Sequence, residues 1–286
     1  MPTKIEKDAV TGTMTTGHEW DGIRELNTPL PKWWLWVFYA CIAWSLGYFV
    51  LYPTLPGVGG WLGWSQRAEL ADRMAAERAR VQPMLDRIRT TAVADIPRSG
   101  DLHGFAIAGG RAAFADNCAP CHGAGAAGAK GGFPSLVDDE WIWGGDLDAI
   151  GRTIAFGVRS AHADTRQSQM PRFGLDGMLT PAQISDTAEY VLTLSGRAAV
   201  PAAAERGRTI FADQCVACHG EAGRGNLELG APSLADRIWL YGGDKASIER
   251  SIASARGGVM PAWSGRLDEA TIRMLTLYVH SLGGGR

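Results

Sequence analysis

Two five-residue runs carry the chemistry of this chain: Cys118-Ala-Pro-Cys121-His122 and Cys215-Val-Ala-Cys218-His219. Each reads C-x-x-C-H, the spacing by which c-type haem is attached. Two thiols three residues apart on a helical turn reach both vinyl groups of the ring and form thioethers. The next residue then sets an imidazole under the iron. Four thiolates could instead close a zinc site, or each pair could work as a redox dithiol. Zinc does not require a His after each pair, and a redox pair usually sits in a βαβ setting that has no strand pattern here. Covalent haem, two groups per chain, is the reading adopted. The fifth cysteine, Cys41, lies in an apolar run and reads as a packing residue.

Haem iron needs a ligand on its other face. Met170-Pro171 and Met260-Pro261 occupy matching places downstream of the two runs. A thioether sulfur favours Fe(II) and raises the potential, which suits electron transfer. The expected axial set is therefore His122, Met170, His219 and Met260. A lone Met is more often core filler, and Met178 and Met274 are read that way. His162 is the competitor for the first module's sixth position. His18, His103 and His280 read as surface residues, and Asp138, Asp139 and Glu140 as a solvated acidic loop. No hydrolytic triad, phosphate loop or dinucleotide fingerprint is found, so no catalytic residue is assigned.

The elements that must hold these residues come as an internal repeat. FADNCAPCHG (114–123) matches FADQCVACHG (211–220), and PSL (134–136) matches PSL (232–234). WGGD (143–146) matches YGGD (241–244), MPRF (170–173) matches MPAW (260–263), and AEYVLTLSG (188–196) matches TLYVHSLGG (276–284). The copies lie 97 or 98 residues apart up to GGD and 90 apart at the methionine. The first copy therefore has extra residues between Ile154 and Met170. A helix leads into each cysteine pair, and an apolar-periodic helix closes each copy, over roughly 180–195 and 267–282. The modules run 101–198 and 199–286, joined near Ala198–Glu205. The repeat alone pairs Met170 with His122 and Met260 with His219.

Ahead of the repeat, Trp33 to Tyr52 contains no charged residue. A helix of that length spans ~30 Å, the thickness of a bilayer core. Trp33, Trp34 and Trp36 at one end and Tyr48 and Tyr52 near the other fit interfacial belts. Residues 33–52 are read as an uncleaved transmembrane helix, stopped by Pro53. Residues 1–32 read as a cytoplasmic, mostly flexible tail, and 53–100 as a periplasmic linker. That linker holds a helix over 65–95 with Leu70, Met74, Val81, Leu85 and Ile88 on one face and a kink or break at Pro83. Arg24 and Lys32 precede the span and the first base after it is Arg67, which favours a cytoplasmic N-terminus. Net charge is −2, so no field of one sign points to nucleic acid.

The chain resembles the CcoP/FixP family, the membrane-anchored dihaem subunit III of cbb3-type cytochrome c oxidase. HEWDGIRELNTPLPKWWLWVFY (18–39), YPTLPG (52–57) and GWLGW (60–64) carry the resemblance, with the two haem runs following in order. It implies an all-α fold of one transmembrane helix and two tandem cytochrome c domains, in the bacterial inner membrane with those domains periplasmic. It implies a non-catalytic electron-transfer component. Electrons would come from a donor cytochrome c and pass towards the monohaem subunit and the oxygen-reducing haem–copper subunit. It gives Cys118, Cys121 and His122 to one haem and Cys215, Cys218 and His219 to the other. Members are described with their methionines exchanged between modules, so both pairings stand at this point. Some relatives carry two membrane helices where one is visible here. A free-standing membrane-anchored shuttle, a dehydrogenase-linked cytochrome and a dihaem peroxidase are the competing functions.

Overall fold

A computed structural model describes residues 4–129, 131–197 and 199–283, and it divides into two units, up to Arg80 and from Val81. Ala198, where the first module was set to end, lies outside the described residues.

The first unit opens on a hairpin, β1 (Thr15–Trp20) against β2 (Ile23–Leu26). The expectation of a flexible tail is corrected here. Asp21 and Gly22 turn the chain with φ of 49° and 85°. An Asp-Gly pair meets that demand at low cost, and it was the signal present in the sequence. Arg24 ties the hairpin to the preceding segment, 2.7 Å from Glu6 and 3.0 Å from Glu19. Helix α1 (Lys32–Leu51) follows, with no buried residue along its length. An apolar helix with no buried face and no polar face suits a lipid surrounding rather than a protein core.

Helix α2 (Gln66–Thr90) runs through the division between the units and contains Pro83 without a break. Proline there removes the donor for the Ala79 carbonyl. Ala79 is exposed, so water can serve that oxygen in its place. Leu70 and Met74 of the expected apolar face are exposed, whereas Ile88 is fully buried.

In the second unit a 3-10 turn (Val93–Arg98) leads to α3 (Gly100–Asn117) and the short α4 (Ala119–His122). Then come α5 (Leu147–Phe156), α6 (Pro181–Leu194), α7 (Pro201–Gln214), α8 (Val216–His219), α9 (Lys245–Ser254) and α10 (Glu269–Ser281). Helices α5 and α9 add to the elements expected from the sequence. Their starts are the repeated GGD: Asp146 accepts from the Ala149 N–H and Asp244 from the Ser247 N–H, each an N-cap.

The closing helices are exchanged. Helix α10, from the second sequence copy, packs on α3 and α5 of the first, and α6 packs on α7 and α9. The exchange is reciprocal at matched positions. Phe114 meets Tyr278 with ring centroids 5.5 Å apart, and Phe211 meets Tyr190 at 5.1 Å. A methyl on Gly110 would overlap the Met274 carbonyl, and one on Gly207 would overlap that of Asp186. Glycine is what lets the two helix pairs cross so closely.

Candidate haem sites

The local fold fixes each C-x-x-C-H run in the same way. A long helix ends at the first cysteine, and one further turn carries the second cysteine and the histidine. The N–H groups of His122 and His219 donate to the carbonyls of Cys118 and Cys215, both at 2.9 Å. The thiols and imidazole of each run thus share one turn, as thioether attachment with proximal ligation requires.

The imidazoles are oriented by the chain beyond them. His122 Nδ1 lies 2.9 Å from the Pro134 carbonyl and His219 Nδ1 2.9 Å from that of Pro232. A carbonyl only accepts, so Nδ1 carries the proton and Nε2 keeps its lone pair for a metal. Burial pushes the His219 pKa down, opposed in part by its bond to Pro232. Burial outweighs that bond, and the net lowering favours the neutral ring, the form that ligates. Burial, and then the neighbouring Cys121, pushes the Cys118 thiol up to about 11. Cys215 is pushed to about 11 by burial and Cys218. Among the described residues, no three His, Cys, Asp or Glu side chains converge as a metal site, so the four cysteines do not form one zinc centre.

The methionines follow the helix exchange. Met170 packs in the cluster of Phe211, Val191 and Ile248, together with Cys215. Met260 packs with Phe114, Ile154 and Leu275, together with Cys118. The structure thus brings Met170 to the second cysteine pair and Met260 to the first, opposite to the pairing that the repeat alone gives. The backbone enforces it. Met260 and Val158 exchange N–H to carbonyl bonds of 3.0 Å in both directions, and Trp263 donates to the Ala155 carbonyl at 3.1 Å. These bonds clamp the second methionine loop onto the end of α5. Gly174 and Leu175 likewise donate to the Ala253 carbonyl, at 3.1 and 3.0 Å. His162, the other candidate, accepts from the Asp164 N–H at Nδ1, and its ring lies against Phe156. Met274 is buried in the α3–α10 packing and Met178 is half exposed.

Met170, Cys215, Cys218 and His219 line one cavity of about 580 Å³, walled by Val191, Phe211 and Ile252. Trp239 also lines it, and its buried Nε1–H has no acceptor among the described residues. A haem fits this donor set: an apolar ring for the walls, an iron between imidazole and thioether, and carboxylates that can accept from an indole N–H. Trp143, from the first copy, reaches the same cavity and lies under the Arg166 guanidinium, 5.3 Å from ring centroid to carbon. Its counterpart Tyr241 holds Arg256 at 4.8 Å.

The acidic run is not a free loop. Asp138 and Glu140 are half-buried, and Glu140 lies close enough to Asp236 of the second copy to feel its charge. Burial first, then Asp236, Asp139 and Asp138, hold Glu140 above its ordinary carboxylate value.

Comparison with known proteins gives three family matches along the chain. Residues 12–59 match the family described as the N-terminal domain of cytochrome oxidase-cbb3, FixP. Residues 107–195 match cytochrome c, and 202–279 match cytochrome c oxidase, cbb3-type, subunit III. The chain is 53% identical to a cbb3-type cytochrome c oxidase subunit CcoP of Azospirillum brasilense, over 98% of this chain and 99% of that one. It is 51% identical to the FixP subunit of Bradyrhizobium diazoefficiens, over 98% of each chain. It is 48% identical to the CcoP subunit of Cereibacter sphaeroides, over 95% of each.

Proposed function

The chain belongs to the CcoP/FixP family, subunit III of cbb3-type cytochrome c oxidases, and from that premise we propose how its own residues serve such an oxidase. It is a membrane-anchored dihaem electron-transfer subunit and carries two covalently bound c-type haems. Bound haem supplies a one-electron Fe(III)/Fe(II) couple whose potential depends on its axial ligands.

Cys118 and Cys121 hold the first haem and Cys215 and Cys218 the second. His122 and His219 are the proximal ligands, kept in the ligating tautomer by the Pro134 and Pro232 carbonyls. Met260 completes the first site and Met170 the second. The observation that carries this assignment is the packing of each methionine with the cysteine pair of the other copy. With haem bound, Val191, Phe211 and Ile252 would pack apolar surface against the second ring, and a thioether ligand in apolar surroundings would favour the reduced state.

The part after the span faces the periplasm, with residues 101–198 and 199–286 as the two haem-bearing copies. Arg24 and Lys32 before α1, with no base after it until Arg67, support this orientation. The donor is a soluble or membrane-bound cytochrome c, and the acceptors are the monohaem and haem–copper subunits. From Asp101 onward the chain carries 20 acids and 17 bases. So small an excess means that a basic donor docks on a local patch rather than on an overall field.

The ligand assignment is tested in a chain that keeps only the first haem, through Cys215→Ala and Cys218→Ala. Met260→Ala should abolish the sulfur-to-iron charge-transfer band there, and Met170→Ala should leave it. The opposite result would establish local pairing. A haemochrome spectrum of the unaltered chain should give two haems per polypeptide. Protease accessibility in spheroplasts checks the orientation.

A further inference from the structure

The segment that follows the membrane helix does not leave it. Helix ends expose carbonyls without donors, and in a bilayer each costs several kcal/mol if left alone (about that much by transfer from water). Here the chain turns back to serve them. Trp61 N–H donates to the Val50 carbonyl at 2.9 Å and Leu62 N–H to that of Leu51 at 3.1 Å. Gly60 lies so close to the Leu51 carbonyl that a methyl would overlap it.

This fold-back turns apolar side chains outward around the helix end. Trp61 is 84% exposed, and Leu55, Val58, Leu62 and Trp64 are exposed as well. No charged residue occurs between Lys32 and Arg67, so the uncharged stretch continues well past the helix. An aromatic column grades out of it: Tyr48 stacks on Tyr52 at 4.6 Å, and Tyr52 meets the edge of Trp64 at 5.8 Å. Trp64 Nε1 then donates to Glu69 at 3.0 Å, where the charged part of α2 begins. Apolar body on one side and polar handle on the other is the preference of Trp and Tyr at a membrane interface.

We propose that residues 53–64 form a collar embedded at the headgroup–acyl boundary of the bilayer, a second lipid contact beside the spanning helix. The occupant of this apolar surface is lipid, because the surface is continuous with that of α1 and carries indole and phenol groups where polarity changes. The inference rests on α1 spanning the membrane, and the test separates the two.

The intact oxidase is reconstituted in phosphatidylcholine–phosphatidylglycerol nanodiscs. Nitroxides are placed at Val58→Cys, Trp61→Cys and Arg67→Cys in a Cys41→Ala background. Native Cys41, labelled in the unaltered chain, reports the span itself. Oxygen collides preferentially in lipid and a neutral nickel chelate in water. The expected result is oxygen preference at 41, a weaker oxygen preference at 58 and 61, and a reversed preference at 67. Nickel access at 61 equal to that at 67 would place the collar in water and overturn the proposal. Loss of both collisions at 58 and 61 in the oxidase, regained in the separated subunit, would show a protein contact and also overturn it. Nickel access at Cys41 would refute the span instead.

Discussion

Trp239 holds its indole N–H beside Cys215 and Cys218 with no acceptor among the described residues, although buried donors are almost always paired. A haem carboxylate would pair it. Removing that donor leaves the carboxylate charge less compensated, and uncompensated negative charge near the iron favours Fe(III). Trp239→Phe should therefore lower the potential of the haem on Cys215 and Cys218 and leave the other unchanged in a potentiometric titration. Glu140 makes a second residue-scale case. An acid held above its ordinary value keeps its proton in the folded chain at a pH where the unfolded chain has lost it. Its stabilising share is whole at low pH and disappears as pH rises through the folded value. Glu140→Gln should flatten the fall in unfolding temperature as pH rises above about 4. An unchanged profile by calorimetry of the haem-loaded chain would remove Glu140 from that role. The cysteines, histidines and methionines were legible because their chemistry has a fixed spacing. The orphan N–H of Trp239 was not, since only burial distinguishes it from ten other tryptophans.

Among the elements, α1 was legible within a residue of its ends because an uncharged run of bilayer length has few other uses. Helices α5 and α9 are not legible from the WGGD and YGGD match alone, because their starts show only when the Asp is read as an N-cap. The hairpin is hard to read from the sequence because its charged composition outweighs one Asp-Gly pair. The α3–α10 crossing gives a prediction from one substitution made twice in one helix. Gly104 is exposed with open space around its Cβ position, whereas Gly110 meets the Met274 carbonyl. Gly104→Ala should stabilise by about 0.5–1 kcal/mol through backbone entropy. Gly110→Ala should destabilise by about 1–3 kcal/mol, as overpacked sites do. Chemical denaturation of the haem-loaded protein measures both, and equal signs would contradict the close crossing.

At the scale of the whole molecule, the repeat describes the sequence copies well and their packing poorly. Matched residues announce two similar frames, but nothing in the matching says which closing helix lies on which frame. Both pairings bury the same apolar faces, so periodicity cannot choose between them. The choice lies in contacts between distant residues, such as Val158 with Met260. One consequence is that each haem site is completed by the other half of the chain. Leu275, in the last helix, is fully buried in the cluster that contains Cys118 and Met260. Leu275→Ala should cost about 2–5 kcal/mol as a core truncation. It should also disturb the haem on Cys118 and Cys121, more than 150 residues away in sequence, and spare the haem on Cys215 and Cys218. The readout is the sulfur-to-iron charge-transfer band in chains that keep one haem or the other. A band weakened only in the chain that keeps the second haem would mean that the closing helix serves its own sequence copy, and the exchanged arrangement would be wrong.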